Sequence, residues 1–390
     1  MTGCLENVSI FTLFERTLIN HFVSPTMTQS KMGREEREIM ASKYSAVVIQ
    51  TRVKECFSKQ DVIDNFTRTC KVIRTSVRHH YFGTNIPNKL AVFDTHAHNH
   101  GYSVKEMIQK IAIEIPGKEM QVVVDTAKDN GIYIVTSALE YDPKFPETFF
   151  TCYFIVDPKG EVIYKYHKIH IHYGTERTLS PYDIMDRYYE AHGKGRTRLQ
   201  TFFPVADTPL GKIGALIAHD RIYPEAARAL ALNGAEILVM GPQPEPSVAG
   251  GRWETINRAR AFENMVYVLA TNYGEFVSDE RATQRWAGHS MVVDFEGKII
   301  GSAPYPGEAV CAGIIDIEAL RERRADPYDS PLVEMRNDLY REIYAQEIFA
   351  KNRHAASAPS ETAQERMAFF PEIYERLVAC GTYSRPVKGR

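Results

Sequence analysis

The sequence predicts an α/β fold built from mixed sheets. Apolar, β-branched runs such as residues 44–50 alternate with segments of helical periodicity such as residues 61–75. Short turn-forming segments at 157–160, 210–211 and 296–297 join pairs of strand-like runs and indicate β-hairpins. Because strand–helix alternation gives parallel neighbours and hairpins give antiparallel ones, we expect both kinds of strand pairing.

The predicted elements follow one another along the chain. In the first half, helices are expected at 61–75 and 119–131, and strands at 44–50, 90–93, 132–138, 149–156 and 162–166. In the second half, helices are expected at 224–232 and 253–264, and strands at 213–217, 236–240, 265–271, 288–294 and 298–302. Residues 179–195 form a polar insertion rich in Tyr and Asp, which we expect over the mouth of a pocket.

Three regions divide the chain. Residues 43–330 carry the strand–helix alternation, residues 1–42 look like an N-terminal extension, and residues 331–390 are a charged, helical C-terminal extension. Either extension could be a surface segment or an arm that contacts another subunit. The C-terminal one has apolar residues suited to anchoring, namely Tyr340, Ile343, Tyr344, Ile348 and Phe349.

Composition excludes several classes of partner. The 390 residues carry a net charge of -2, which gives no electrostatic case for nucleic acid or an anionic membrane surface. The six cysteines are scattered without a CxxC pair, as is usual in a reducing compartment. No apolar run approaches the length of a membrane span, and the first residues lack the basic region of a signal peptide. We therefore expect a cytoplasmic protein.

A strand–turn–helix unit at residues 212–241 organises the second half. Its strand, 213–217, leads through Ala218, His219 and Asp220 to a helix with Pro224 in its first turn. A side chain on such a turn is directed into a pocket at the carboxyl edge of the sheet, where α/β proteins build their sites. Here that residue is Ala218, whose methyl group supplies no nucleophile.

Several motifs occur in a familiar order: AVVIQ, KYHKIH, HDRIYPEAAR followed by NGAEIL, RARAFENMVYVLATN and GHSMVVDFEGKII. Over roughly residues 43–330 the chain resembles the nitrilase superfamily of carbon–nitrogen hydrolases, in particular its amidase- and formamidase-type branches. The resemblance implies a four-layer α-β-β-α sandwich, a Glu–Lys–Cys triad with a second Glu, a small-molecule substrate and no cofactor. It also implies a homo-oligomer that pairs through the helices beside the turn.

The resemblance assigns the catalytic lysine to Lys168 and the second glutamate to Glu176. The position of the cysteine nucleophile falls on Ala218, and that of the first glutamate falls on His96 or Thr95, depending on the direction of counting. Lys168 can still donate to a developing oxyanion, which is electrostatic work that needs no thiol.

Histidines cluster in two windows, His96, His98 and His100, and His167, His170 and His172. One interpretation is a transition metal held by His96, His98 and His219, with Asp94 or Asp220 as further ligands. A second makes His96 a general base, because imidazole titrates near neutrality. A third is a polar pocket or plain surface histidines. Candidate substrate-binding residues are His170, Tyr182, His219 and Asp220, and Asp220 is also suited to orienting the turn.

Three hypotheses about function remain open. The chain is an enzyme with a rebuilt His/Lys site acting on a small polar C–N-bonded substrate; a cysteine-dependent amidase or nitrilase inactivated by a Cys-to-Ala change at Ala218; or a non-catalytic homologue that binds a small ligand. The rebuilt site is preferred, because one explanation then covers both the missing cysteine and the missing glutamate.

Overall fold

The computed structural model describes residues 43–78, 85–96, 101–242, 251–278, 284–328, 330–345, 347–354 and 361–387. The chain forms two units, Met1–Ser42 and Lys43–Arg390. The predicted N-terminal extension, residues 1–42, lies outside the described residues. The second unit contains everything described below, including the segment after residue 330.

Fourteen strands are found within the described ranges: β1 (Lys43–Lys54), β2 (Asn88–Val92), β3 (Tyr133–Glu140), β4 (Phe150–Val156), β5 (Val162–His167), β6 (Ala206–Thr208), β7 (Gly211–Leu216), β8 (Ile237–Met240), β9 (Tyr267–Ala270), β10 (Tyr273–Val277), β11 (Gln284–Arg285), β12 (Ser290–Val293), β13 (Ile299–Ala303) and β14 (Ala309–Asp316). The helices are α1 (Lys59–Ser76), α2 (Val104–Lys110), α3 (Gln121–Asn130), α4 (Met185–His192), α5 (Arg198–Phe202), α6 (Pro224–Leu232), α7 (Arg252–Asn264), α8 (Ile317–Ala325), α9 (Asn337–Ile343), α10 (Ala363–Arg366) and α11 (Phe370–Ala379). Short 3-10 helices occupy Lys118–Met120, Pro181–Ile184 and Ala218–Ile222.

The first sheet is arranged around β1. On one side of β1 lie β2, β3, β4 and β5 in that order. On the other side, the first part of β1 pairs antiparallel with β14, and its end pairs parallel with β10. Because β2 and β3 are parallel and β4 is antiparallel to both β3 and β5, the strands β2, β3 and β5 run in the same direction. Their carboxyl ends therefore meet at one edge of the sheet.

The second sheet has the order β13-β12-β9-β8-β7-β6. Its centre is parallel, β7 with β8 and β8 with β9, and its two ends are the predicted hairpins β6–β7 and β12–β13. The turn in the first hairpin is at Gly211, whose φ of 111° favours glycine.

Two hydrophobic cores show how the layers stack. Successive side chains of β1 point alternately into these two cores. Ala46 and Val48 pack in the core between the two sheets, with residues of β7, β8 and β9. Val47 and Ile49 pack in the core between the first sheet and helices α1 and α3. Helices α6 and α7 contribute buried residues such as Leu230 and Trp253 on the second sheet. The layers are α-β-β-α, and the predicted fold class is confirmed.

Two regions differ from the sequence-based expectation. Residues 309–316 were not predicted as a strand, yet β14 pairs with β1 along eight residues. The polar insertion at 179–195 contains helix α4, whose Tyr188 is only 6% exposed and packs in the core. Both elements are stabilised by partners distant in sequence, which local periodicity does not reveal. No helix among the described residues is long and apolar enough to cross a membrane.

Candidate active site

The turn after β7 holds Ala218 in a left-handed conformation with φ of 47°. A non-glycine residue pays for this conformation, and such strain concentrates at functional sites. The turn is fixed by Asp220, which is fully buried. Its carboxylate accepts hydrogen bonds from the backbone N–H of Ile217 at 3.0 Å, the Tyr166 hydroxyl at 2.8 Å, and the backbone N–H and Nδ1 of His170 at 2.7 and 2.9 Å. The sequence suggested two roles for Asp220, binding substrate and orienting the turn. These contacts support the orienting role.

Lys168 follows β5 and is almost fully buried. Its ammonium group donates to Glu176 Oε1, so the residues that the resemblance assigned as lysine and second glutamate form an ion pair. The backbone N–H of Lys168 donates to Thr151 O at 3.0 Å, which fixes the start of this segment against β4. A buried cation held in place is suited to stabilising negative charge that develops on a substrate.

His96 follows β2 at the same sheet edge and lies beside Asp94. Its Nδ1 is 2.7 Å from Asp94 Oδ1 and 3.1 Å from Ser137 Oγ. Asp94 is fully buried, and the Tyr273 hydroxyl donates to it at 2.6 Å. Burial alone would raise the pKa of Asp94, but the adjacent His96, Tyr273 and Tyr153 lower it below its ordinary value. A carboxylate can only accept, so Nδ1 carries the proton and Nε2 is the nitrogen able to take one up.

Tyr153 connects this pair with the turn. It is fully buried, and burial together with the nearby Asp94 raises its pKa well above the ordinary value. A Cβ added at Gly241 would lie 3.1 Å from the Tyr153 hydroxyl oxygen and 3.3 Å from the backbone nitrogen of Ala218. Glycine at 241 therefore brings β8, Tyr153 and the turn close together. Asp94, Tyr153 and Ala218 are thus neighbours.

The remaining predicted residues line a cavity of about 790 Å³ beside the turn. We call it the arm cavity, because its other wall comes from the C-terminal arm, the described residues after 330. His170, Tyr182 and His219 all line it. Burial, followed by the charges of Lys168 and His172, lowers the pKa of His219 to about 4. His170 stacks on Tyr223 with ring centroids 3.8 Å apart.

The predicted metal site stays a prediction, because His98 and His100 lie outside the described residues. Within the described ranges, three potential ligands approach one another only at Glu140, Cys152 and His167. His167 Nε2 is 2.6 Å from Glu140 Oε2, in a buried cluster that also contains Tyr188. His167 therefore does not join His170 and His172, which lie after the end of β5 and contact Asp220 and His219 instead. Cys152 is a fully buried core residue.

Some residues of this arrangement escaped the sequence analysis. Asp94 was considered as a metal ligand but not as the partner of His96, although an Asp-x-His pattern in an extended segment places both side chains on one side. Tyr273, Tyr153 and Ser137 lie far along the chain and carry no local signal. The contribution of the C-terminal arm to a cavity is likewise visible only in three dimensions.

The comparisons with known proteins identify the family. The carbon-nitrogen hydrolase family model matches residues 97–325, more than half of the chain. The chain therefore belongs to the carbon–nitrogen hydrolases of the nitrilase superfamily, as the sequence motifs predicted.

Individual relatives agree with this assignment. The chain is 28% identical to mouse (Mus musculus) omega-amidase NIT2 over 309 residues, which is 77% of this chain and 97% of that protein. It is 34% identical to deaminated glutathione amidase from Yersinia enterocolitica over 209 residues, 52% of this chain and 66% of that protein. The solved carbon-nitrogen hydrolase from Helicobacter pylori G27 has a TM-score of 0.60 at 22% identity, covering 79% of this chain and all of that one. At that identity the structural likeness supports the fold.

Proposed function

We propose that this protein hydrolyses a small C–N-bonded substrate with water activated by His96, and that Lys168 stabilises the oxyanion. The observation that carries the proposal is the pair of His96 Nδ1 and the buried Asp94 Oδ1, 2.7 Å apart. His96 is one of the two positions, with Thr95, at which the family resemblance leads one to expect the first glutamate. An imidazole oriented by a buried carboxylate is a general base found in many hydrolases.

The chemistry follows from the fixed tautomer. Nε2 of His96 removes a proton from water, and the hydroxide adds to the substrate carbon while the C=O bond becomes a C–O⁻ bond. When the C–N bond breaks, the protonated Nε2 returns its proton to the leaving nitrogen. The products are a carboxylic acid and an amine or ammonia. No thioester forms, because Ala218 has no nucleophilic atom.

Lys168 supplies the electrostatic part of this route. Its burial makes its charge effective, since the surroundings screen a buried cation less than water would. Glu176 holds the ammonium group in position from one side. The lysine thus acts on the oxyanion without taking part in proton transfer.

A second candidate is favoured by one observation, the left-handed backbone at Ala218. This conformation is the one that a nucleophile on a strand-to-helix turn adopts, so the turn remains shaped for a reactive side chain. On this view the protein is a cysteine-dependent amidase or nitrilase in which position 218 has become alanine. The third candidate, a non-catalytic ligand-binding homologue, is favoured by the arm cavity.

Assaying the wild-type protein and Ala218→Cys on the same panel separates the three. The panel contains small carboxamides, nitriles and carbamoyl compounds, and release of ammonia is measured. Hydrolysis by the wild type supports the water-based route. Hydrolysis by Ala218→Cys alone supports the cysteine-dependent alternative and overturns our proposal. If neither protein releases ammonia but a ligand still binds, the result supports the non-catalytic binding homologue.

Two further expectations from the sequence are tested separately. A transition metal held by His96, His98 and His219 would occupy Nε2 of His96, so it is an alternative to water activation by His96. Elemental analysis of the purified protein tests it, and a stoichiometric metal would contradict the water-activation route. A homo-oligomer is supported by exposed apolar side chains on the turn and on helices α6 and α7, namely Ile222 at 40%, Leu232 at 52% and Phe262 at 47%. Light scattering during size-exclusion chromatography measures the number of subunits. A monomer at all concentrations would contradict the expected homo-oligomer.

A further inference from the structure

The arm cavity has a size and position that suit a ligand. Its volume of about 790 Å³ falls within the range of small-molecule sites. One wall is the segment 169–174, which joins Lys168 to Glu176, together with His219 of the turn. The opposite wall is formed by apolar side chains of the C-terminal arm, including Ile343, Ile348, Phe349, Met367 and Phe370. The cavity therefore adjoins the catalytic lysine segment on one side.

The wall formed by the arm is fixed to the rest of the unit. The backbone N–H of Asn352 donates to Tyr182 O at 3.1 Å, and its side chain exchanges hydrogen bonds with Asp186. Farther along, Arg366 Nε donates to Tyr173 O at 2.8 Å. These contacts tie the arm to the same segments that line the other side, so a single chain builds the cavity.

Most hydroxyl groups around the arm cavity are already satisfied by protein partners. Tyr182 donates to Phe349 O at 3.1 Å, and Tyr344 donates to Glu225 Oε1 at 2.7 Å. Tyr173 donates to Asp183 Oδ2 at 2.8 Å. These tyrosines offer ring surface to a ligand, because their polar atoms are engaged within the protein.

Charge in the cavity is low. His219 is uncharged at neutral pH, since its pKa is lowered to about 4 by burial and then by Lys168 and His172. His170 uses Nδ1 for Asp220 and presents a ring stacked on Tyr223. The two charged lining residues, Glu347 and Lys351, have opposite signs. Neither a strongly anionic nor a strongly cationic ligand matches such walls.

We propose that the arm cavity binds an uncharged aromatic or branched aliphatic group of the substrate. This inference rests on the proposed function and narrows it, from any small polar C–N compound to one that also carries an apolar group. The C-terminal arm then determines specificity, and Lys168 and His96 perform the chemistry.

Binding can be tested separately from turnover. Calorimetry measures the affinity of 2-phenylethanol and of ethanol, which lack a C–N bond and differ by a phenyl group. Burying that phenyl group should strengthen binding at least about tenfold. The matched variants are Ile343→Asp and Leu339→Asp. Both residues lie on α9 and are 63% and 61% exposed, but only Ile343 lines the cavity.

We expect Ile343→Asp to weaken 2-phenylethanol binding at least about fivefold, because it places a charge on an apolar wall. Leu339→Asp should leave the affinity for 2-phenylethanol unchanged. Equal effects of both variants, or no preference for 2-phenylethanol over ethanol, overturn the inference.

In parallel, hydrolysis of phenylacetamide and acetamide by the wild type is measured. Selective binding of 2-phenylethanol without hydrolysis of either amide rejects the proposed function but supports the proposed ligand of the arm cavity. Hydrolysis of acetamide without preferential binding of 2-phenylethanol supports the proposed function but rejects the proposed cavity ligand.

Discussion

Nδ1 of His96 lies 2.7 Å from Oδ1 of Asp94, a carboxylate with no exposure to solvent. The contact joins residues two positions apart, at the end of a strand whose carboxyl edge also receives Lys168. This geometry suits the role of general base that we propose for His96.

Replacing Asp94 by Asn should remove the orientation of His96 while preserving the shape of the side chain. An amide NH₂ facing Nδ1 favours the opposite tautomer, so Nε2 loses its ability to accept a proton. We expect kcat to fall roughly 10²- to 10⁴-fold. Steady-state kinetics measures the change, and a thermal melt checks that the variant remains folded. A folded variant with wild-type kcat would show that the pair is structural only.

Lys168→Ala should lower kcat about 10²- to 10³-fold, because it removes the charge that we propose stabilises the oxyanion. The matched control is Lys165→Ala on the same segment, since Lys165 Nζ is directed to Glu140 at 2.5 Å instead. Rates for both variants are compared after their folding is verified by circular dichroism. Equal losses of activity in the two would contradict a specific role for Lys168.

The low pKa of His219 makes stability depend on pH. Its folded pKa, about 4, lies below the ordinary value of 6.5, so the unfolded chain binds a proton first as the pH falls. Its contribution to stability is therefore complete above pH about 6.5 and declines between about 6.5 and about 4. In His219→Gln, the free energy of unfolding in urea should decrease less over this interval. Identical pH dependence of the variant and the wild type would be inconsistent with a half-buried His219 that stays neutral in the folded protein.

Gly241→Ala should destabilise the protein by about 1–3 kcal/mol. The new methyl group would lie 2.9 Å from Cε2 of the Tyr153 ring, which is fully buried. Tyr153→Phe in the same chain removes the hydroxyl oxygen at 3.1 Å and should recover part of the loss. Denaturant unfolding of the two single variants and the double variant measures this coupling. Strict additivity would mean that Tyr153 and Gly241 do not contact in this way.

Much of the fold was accessible from the sequence because it has local causes. The segment 213–232 combines an apolar strand with a helix that has Pro224 in its first turn, and the structure has these features in order. Strand β14 was missed because its stability comes from pairing with β1, far away along the chain. Local pattern carries no information about such a partner.

The candidate site, like the fold, could be predicted from the sequence only in part. Lys168, Glu176 and Ala218 were located by motif, and the structure brings Lys168 and Glu176 together. The surroundings of His96 depend on Ser137 and Tyr273, which reach it from β3 and β10. The arm cavity depends on residues after 330 whose apolar character gave no sign of what they face. Long-range packing decided these features.

The central claim is that His96 activates water in a hydrolase that has no thiol at position 218. Its most direct test is the rate of ammonia release by the wild type, His96→Gln and His192→Gln under identical conditions. His192 is a suitable control because its Nε2 lies 3.0 Å from Asp142 Oδ2, in a second His–Asp pair that does not include His96 or Asp94. The account predicts that His96→Gln loses at least about 10²-fold in kcat, while His192→Gln keeps a rate close to that of the wild type. Wild-type activity in His96→Gln, or no hydrolysis by the wild type itself, would contradict it.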